Sequence, residues 1–221
     1  MQQLPLDLHR PAPASLSNFE LGDNAEAVSL LAGIAGGDRG QRFVYLWGPD
    51  GAGKTHLLQA LAGATGVPVG DGTPAAPMPA YRPECHLYLV DDCHRLGPEA
   101  QQALFTLINH VQAASGATVV ITGESAPAAM PLREDLRTRL GWGLVFGLIP
   151  LSDEQKLAAL QRMADERGVA CSADLLPYLL RHYRRDMRSL AALLEALDRF
   201  AYERRRPLTL PLLREYESLR R

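Results

Sequence analysis

Lysine and cysteine are both scarce in this 221-residue chain. Of its 23 basic residues, only Lys54 and Lys156 are lysine, so every other basic side chain is an arginine. The three cysteines are scattered along the sequence at Cys85, Cys93 and Cys171. Because an odd and scattered set of thiols does not form a disulfide framework, we expect a protein of a reducing compartment.

The chain also lacks strong net charge, long apolar runs and a targeting segment. Its formal net charge of −2 argues against binding to nucleic acid through bulk electrostatics, although local arginine clusters can still bind it. No window reaches the roughly 18 uninterrupted apolar residues of a membrane span. Residues 1–7 lack the basic and apolar segments of a signal peptide. We therefore expect a cytoplasmic protein without a membrane partner.

A glycine-rich segment separates an apolar run at residues 43–47 from a helix-forming run at 56–61. It consists of Gly48, Pro49, Asp50, Gly51, Ala52, Gly53, Lys54 and Thr55. Glycines let backbone N–H groups curl around anionic oxygens, and the following helix directs its positive end to the same place. The segment is typical of a phosphate-binding loop, rather than of a plain strand-to-helix turn.

Within this loop, Lys54 is expected to reach the β- and γ-phosphates, and Thr55 to offer its hydroxyl to Mg²⁺. A chain that otherwise uses arginine has kept a compact ammonium where phosphate chemistry uses one. His56 follows directly and completes the predicted nucleotide-binding set. The loop predicts a bound nucleotide, and the sequence leaves open whether it is ADP or ATP.

The segment from residue 19 to residue 150 alternates between strand and helix patterns. Helices are predicted at 24–34, 55–62 and 98–114, and strands at 43–47, 86–90, 118–122 and 144–148. Short apolar runs without alternation suit a parallel sheet that is covered on both faces, so the predicted class is α/β. Residues 63–82 are rich in glycine, proline and alanine, and the possible strand at Val67–Val69 is left unassigned.

Two further segments flank this nucleotide-binding core. Residues 1–18 contain Pro5, Pro11 and Pro13 and are predicted to form an extended or disordered tail. Residues 151–221 are predicted to form a small, all-helical lid, which begins at a capping box on Ser152. Pro177 is expected to kink or delay the helix that begins near residue 172.

Paired carboxylates end the apolar run at residues 87–90. Asp91 and Asp92 stand where a phosphate-loop protein has the acid that holds Mg²⁺ and the acid that orients water, and we assign them in that order. Thr122, at the end of the next apolar run, can offer a hydroxyl to the γ-phosphate. Plain helix caps and an ordinary strand-to-turn junction are the alternative interpretations of these residues.

A zinc site is the other metal hypothesis, because Cys85-His86 and Cys93-His94 flank the same apolar run. If that run is a strand, the two pairs lie roughly 25 Å apart at about 3.3 Å per residue. One ion cannot contact both pairs, so we favour ordinary thiols and imidazoles.

Arginines at two predicted helix ends can neutralise charge in a transition state. They are Arg139 in the segment 135–142 and Arg188 in the segment 185–190. On charge alone, either is more often a solvated surface residue.

These motifs, taken in order, resemble the AAA+ module of the bacterial replication initiator DnaA. The resemblance covers the chain from about residue 15 onward. It implies a P-loop NTPase core with a parallel sheet and a helical lid. It also implies that Arg139 is an arginine finger, which acts in trans on a neighbour's nucleotide, and that Arg188 is the sensor 2 arginine, which acts in cis. Residues 19–24 resemble the entry to the family's adenine pocket.

The initiator continues into a helix-turn-helix domain of about a hundred further residues, and we expect none here. Instead, residues 3–8 resemble the hexapeptide that docks into the DNA polymerase III sliding clamp, the beta subunit. The resemblance implies that Gln3, Leu4, Leu6 and Leu8 are its anchors, although the acidic Asp7 differs from more apolar versions. The combination resembles the Hda type of regulator, which binds an adenine nucleotide, reaches DNA through the loaded clamp and drives hydrolysis of DnaA-bound ATP.

Two functions therefore compete. The first is a regulatory adapter whose Arg139 completes the ATPase site of DnaA and whose own hydrolysis is weak at most. The second is an autonomous AAA+ ATPase of the helicase-loader type, which the intact loop and Asp91-Asp92 favour. The sequence does not decide the oligomeric state, and a homo-oligomer is compatible with it.

Overall fold

Five strands form one parallel sheet in the computed structural model, which describes residues 13–114 and 116–219. The strands are β1 (Phe43–Trp47), β2 (Val69–Gly70), β3 (Leu87–Val90), β4 (Thr118–Gly123) and β5 (Leu144–Gly147). Their order across the sheet is β2-β3-β4-β1-β5, and each of the four pairings is parallel. The predicted α/β fold with a parallel sheet is confirmed.

Helices cover both faces of this sheet, within a compact unit of residues 13–150. They are α1 (Ala25–Ala35), α2 (Lys54–Thr65), α3 (Pro98–Ala113) and α4 (Glu134–Leu140). Along β1, Val44 and Leu46 pack with α1 and α2, whereas Phe43 and Tyr45 pack in the opposite layer with α3 and α4. Successive strand residues face opposite sides of a sheet, so burial on both faces explains the continuous apolar run.

The second strand is the main difference from the sequence prediction. The unassigned run at Val67–Val69 contributes one residue to a two-residue strand, in which Val69 pairs with Leu89. The chain then turns back, because the N–H of Asp71 donates to the carbonyl of Ala76 at 2.9 Å. A strand of two residues is too short to leave a periodic signal.

Helix α2 continues three residues beyond its predicted end at residue 62. It stops at Gly66, which has a φ of +72°. Glycine adopts this left-handed conformation without a Cβ penalty, and it commonly ends helices for this reason.

Residues 151–219 form a second compact unit, which contains helices only and no strand among its described residues. Its helices are α5 (Asp153–Glu166), α6 (Leu175–His182), α7 (Met187–Arg204) and α8 (Leu210–Ser218). The predicted capping box is present, because Ser152 and Gln155 bond each other's backbone N–H groups. Pro177 lies in the first turn of α6, where a missing N–H removes no helical bond, so the helix begins at Leu175.

The longest helix of the described residues, α7, has 18 residues. Within the described ranges, no helix is both long and apolar enough to cross a membrane.

Candidate functional site

The phosphate-binding loop joins the carboxyl end of β1 to the first turn of α2. Gly51 has a φ of +81° and Gly53 a φ of +94°, both in the region that favours glycine. At Gly53 a Cβ would also lie 2.5 Å from the ring of Phe19. The loop therefore requires glycine for its backbone conformation and for the close approach of an aromatic ring.

Lys54 is buried beneath this loop, with 6% of the residue exposed. Its Nζ donates to the carbonyl of Gly48 at 2.6 Å and to that of Pro49 at 3.1 Å. The ammonium is thus held against the loop by two of its carbonyls. Thr55, at the next position, is exposed. The predicted nucleotide-binding residues 48–56 accordingly form one continuous loop and helix start.

The segment before α1 packs against the same loop. The ring centroids of Phe19 and His56 are 5.5 Å apart, and Nε2 of His56 lies 3.1 Å from the carbonyl of Ser15. Asn24 binds both backbone groups of Ile149, accepting from its N–H at 2.8 Å and donating to its carbonyl at 2.9 Å. These contacts fix the segment that resembles an adenine-pocket entry beside the phosphate loop.

Asp91 and Asp92 follow β3, and Thr122 lies near the end of the adjacent β4. The hydroxyl of Thr122 donates a hydrogen bond to Oδ1 of Asp91. The N–H of Asp92 donates to Oγ1 of Thr122 at 2.8 Å and to Oδ1 of Asp91 at 3.1 Å. The Thr122 side chain is fully buried, and its hydroxyl holds the Asp91 carboxylate in place.

Asp92 differs from Asp91 in both backbone and environment. Its φ of +47° is unusual for a residue other than glycine, and such conformations recur at functional sites. Burial raises the pKa of its carboxyl above the usual range, and the neighbouring Asp91 carboxylate raises this pKa further. The two acids also differ in burial, because Asp91 is buried and Asp92 is half-buried.

These residues fit a nucleotide with Mg²⁺. Glycines at positive φ leave room for phosphate oxygens beside a buried ammonium, and the Thr55 hydroxyl and the Asp91 carboxylate are oxygen ligands of the kind that Mg²⁺ prefers. A thiolate site is a poorer fit at Cys93, because burial raises the pKa of its thiol to about 12.

The side chain of Arg139, in the last turn of α4, is held by four contacts. Its Nε donates to Oδ1 of Asn109 at 2.7 Å, and its Nη1 donates to the carbonyl of Asp135 at 3.2 Å. The guanidinium carbon lies 4.1 Å from the ring centroid of Phe105 and 4.8 Å from that of Trp142. Arginine so enclosed is preorganised rather than freely solvated.

Phe105 and Asn109 were not identified from the sequence. They lie one helical turn apart on α3, beside the buried stripe of Leu104 and Ile108. An aromatic residue and an amide at positions i and i+4, outside an apolar stripe, are the only sequence signal that points to them.

The remaining predicted site residues belong to other segments of the chain. Arg188 is exposed at the second position of α7, whose first turn is capped by Asp186 through the N–H of Ser189 at 2.8 Å. The predicted clamp-binding residues Gln3, Leu4, Leu6 and Leu8 lie outside the described residues.

Comparisons with known proteins agree with this arrangement. A family model for the lid domain of Hda matches residues 153–216. An uncharacterised protein of Haemophilus influenzae is 32% identical over 230 residues, which cover 99% of each chain. Domain III of the Thermotoga maritima replication initiation protein DnaA superposes with a TM-score of 0.71 at 21% identity, covering 96% of this chain and 98% of that one.

A second solved structure, DnaA from Aquifex aeolicus bound to AMPPCP, superposes with a TM-score of 0.69 at 18% identity. The match covers 89% of this chain and 68% of that one. The two superpositions show a shared fold of core and lid, and the family-model match identifies the lid as one of the Hda type. The chain belongs to the Hda/DnaA-like family of AAA+ proteins.

Proposed function

We propose that this protein stimulates hydrolysis of the ATP held by DnaA, while bound to an adenine nucleotide of its own and to the DNA polymerase sliding clamp. The observation that carries the proposal is the location of Arg139. Its neighbour Trp142 contacts Phe43, at the amino end of β1, with ring centroids 6.0 Å apart. The phosphate loop leaves the opposite end of β1, after Trp47.

The length of β1 separates these two ends. Four residue steps from Phe43 to Trp47 span about 13 Å, at about 3.3 Å per residue. A guanidinium held at the amino end by Asn109 and two rings is out of reach of phosphates bound by Lys54. This arrangement supports action in trans, in which Arg139 adds positive charge beside the γ-phosphate of a partner.

Within the described residues, Nε and Nη1 of Arg139 have hydrogen-bond acceptors, whereas Nη2 has none. This nitrogen can donate to a phosphate oxygen while the other two keep the side chain in place. A charge-assisted hydrogen bond of this kind is stronger than a neutral one, and it needs no rearrangement when charge develops on the oxygen.

The nucleotide bound by this protein is proposed to support formation of the complex with DnaA, rather than to be hydrolysed rapidly. The loop N–H groups and Lys54 would hold its phosphates, and Thr55 and Asp91 would hold Mg²⁺, which neutralises phosphate charge. Arg188, on the lid, is proposed to contact the same nucleotide. Asp92 would orient water, but with Arg139 at the far end of β1 this site has no finger of its own, so intrinsic hydrolysis is expected to be weak.

Substitution of Arg139 by alanine tests the proposal. Single-turnover loss of labelled ATP from DnaA is measured with DNA-loaded clamp and this protein. Arg139→Ala should lower the stimulated rate by about 10³-fold or more, the usual contribution of an arginine finger. Affinity for ADP and ATP, measured by calorimetry, should stay at the wild-type value. Arg137→Ala, on the same helix, is the matched control and should retain stimulation. Full stimulation by Arg139→Ala would refute the finger role.

Clamp docking is proposed for residues 3–8. Gln3 would hydrogen-bond at the rim of a groove, and Leu4, Leu6 and Leu8 would bury apolar surface in it. Deleting residues 1–8 should abolish clamp binding and spare nucleotide binding, whereas Pro11→Ala should affect neither. Equal clamp affinity with and without the segment would remove the main support for an adapter.

The second candidate is an autonomous ATPase of the helicase-loader type. It is favoured by the bonded arrangement of Asp91, Asp92 and Thr122, which is complete within this chain. That function requires steady turnover without DnaA or clamp, lost on Asp92→Asn. Turnover of this kind, with no stimulation of DnaA by the wild-type protein, would favour it.

A further inference from the structure

The guanidinium of Arg139 lies between two aromatic rings that come from different elements. Phe105 projects from α3, and Trp142 lies between α4 and β5. The distances of 4.1 Å and 4.8 Å to the ring centroids are both within the range of a cation–π contact. One side chain is thus held from two directions.

Trp142 is fixed by the backbone on both sides. Its N–H donates to the carbonyl of Arg139 at 3.1 Å, which closes the end of α4. At Gly143 a Cβ would lie 2.0 Å from the carbonyl oxygen of Phe43, so the chain passes too close to β1 for any other residue. The indole also packs edge-on against Phe43, with an interplanar angle of 69°.

Burial does not explain a tryptophan at this position. The residue remains 45% exposed, whereas Leu136 and Leu140 of the adjoining helix are 0% and 2% exposed and fill the core. Trp142 has two ring contacts instead: the edge-on contact with Phe43 anchors the indole, and the contact with Arg139 is the one that reaches the guanidinium.

We propose that Trp142 is a positioning residue, which holds Arg139 in the conformation that meets a partner's γ-phosphate. The inference rests on the proposed function. An arginine side chain loses considerable rotamer freedom when it is held in one geometry, and a preorganised donor avoids that loss at the moment of reaction. Asn109 and Phe105 remain when the indole is removed, so the expected effect is partial.

The contact is tested first in the free protein, without DnaA. The chain has two tryptophans, so a Trp47→Phe background leaves Trp142 as the only indole. In that background, Arg139→Ala should change the intensity and wavelength of Trp142 emission, and Arg137→Ala should leave both unchanged. Identical emission with and without Arg139 would overturn the proposal.

The positioning role is tested by single-turnover hydrolysis in ATP-loaded DnaA, with this protein titrated on DNA-loaded clamp. Trp142→Ala and Trp142→Leu should lower the maximal rate by about 3- to 10-fold, as expected for loss of one cation–π contact at a half-exposed site. Trp142→Phe should retain most of the wild-type maximal rate, because phenylalanine keeps an aromatic ring beside Arg139. The concentration for half-maximal stimulation should not change, because the residue acts through Arg139.

Three outcomes of the hydrolysis experiment also overturn the inference. A raised half-maximal concentration with an unchanged maximal rate would make Trp142 a partner contact only. An equal loss of maximal rate in Trp142→Phe and Trp142→Leu would mean that Trp142 has only a structural role. No stimulation by the wild-type protein would refute the proposed function itself, and the positioning role with it, even where the emission change remains.

Discussion

At the carboxyl end of the sheet, the candidate site is built mainly from backbone. Gly51 and Gly53 lie at positive φ, and Lys54 is held by two loop carbonyls. At the amino end, the surroundings of Arg139 are built mainly from side chains. Asn109 and Phe105 from α3 meet Trp142, which follows α4, around one guanidinium.

The difference shows how each site tolerates change. A backbone site depends on a few positions at which any Cβ is excluded, so a single methyl group can remove it. Several side chains together hold the guanidinium of Arg139, so the loss of one neighbour weakens its positioning without abolishing it. Substitution of the loop glycines should therefore have an all-or-none effect, and substitution of the neighbours of Arg139 a graded one.

The largest effect is expected at Gly53, where two costs combine. Gly53→Ala forces an L-residue to φ +94° and places its Cβ 2.5 Å from the ring of Phe19, for a total of about 2–5 kcal/mol. Gly66→Ala is the matched control, since it has φ +72° with nothing within 4 Å and should cost only about 1–2 kcal/mol. Chemical unfolding measures both.

The clash can be separated from the backbone strain. In a Phe19→Ala background, the cost of Gly53→Ala should fall toward that of Gly66→Ala, because the ring is gone. Nucleotide affinity should still be lost, since the loop cannot keep its conformation. Equal unfolding free energies for Gly53→Ala and Gly66→Ala in the parent protein would contradict the close packing of Phe19.

The next effect concerns the buried ammonium. Lys54→Ala should weaken affinity for ADP and ATP by about 10- to 100-fold, the value of one or two hydrogen bonds to a charged group. Lys156→Ala removes the only other lysine, which lies 3.8 Å from Asp153 in the lid, and should leave affinity unchanged. Calorimetry measures both variants. Unchanged affinity in a well-folded Lys54→Ala protein would refute the phosphate-loop assignment.

The two ends also differ in how far the sequence alone predicts them. The phosphate loop is contiguous, so residues 48–55 and the flanking β1 and α2 were identified from residue order. The bounds of β1 were predicted correctly, because a run buried on both faces leaves a continuous apolar signal. Strand β2 was not assigned, because two residues are too few to show the hydrophobic pattern of a strand.

The amino end depends on long-range contacts that no local pattern contains. Arg139 was recognised through a resemblance. Its neighbours Asn109 and Phe105 lie 30 and 34 residues before it in the chain, so no local pattern connects them to it. Both belong to a helix whose predicted feature was its buried leucine stripe. The role of Thr122 was likewise predicted to be contact with a ligand, and only the pairing of β3 with β4 brings its hydroxyl against Asp91.

A smaller effect, again at the carboxyl end, is expected at Thr122. Thr122→Val removes the donor to Asp91 and the acceptor of the Asp92 N–H, and should destabilise the fold by about 1–3 kcal/mol. Affinity for the Mg²⁺ complex of ADP should fall, while affinity for metal-free ADP should not. Thr118→Val is the matched control, because Thr118 is equally buried on β4 and its hydroxyl donates to the carbonyl of Gln41 at 2.8 Å. If both variants alter the Mg²⁺ dependence alike, Thr122 has no special relation to Asp91.

The smallest effect is expected at Asn109, where it tests whether the enclosure of Arg139 is graded. Asn109→Ala removes the acceptor of the Arg139 Nε but leaves the Asp135 carbonyl and both rings in place. Loss of one partly exposed hydrogen bond, about 0.5–1.5 kcal/mol, corresponds to a fall of about 2- to 10-fold in stimulated hydrolysis. Gln112→Ala, an exposed substitution on the same helix, should leave the rate unchanged. Nucleotide affinity should be normal in both variants, because neither touches the carboxyl end. A loss in Asn109→Ala as large as that in Arg139→Ala would contradict shared support, and would mean that this one amide sets the position of the guanidinium.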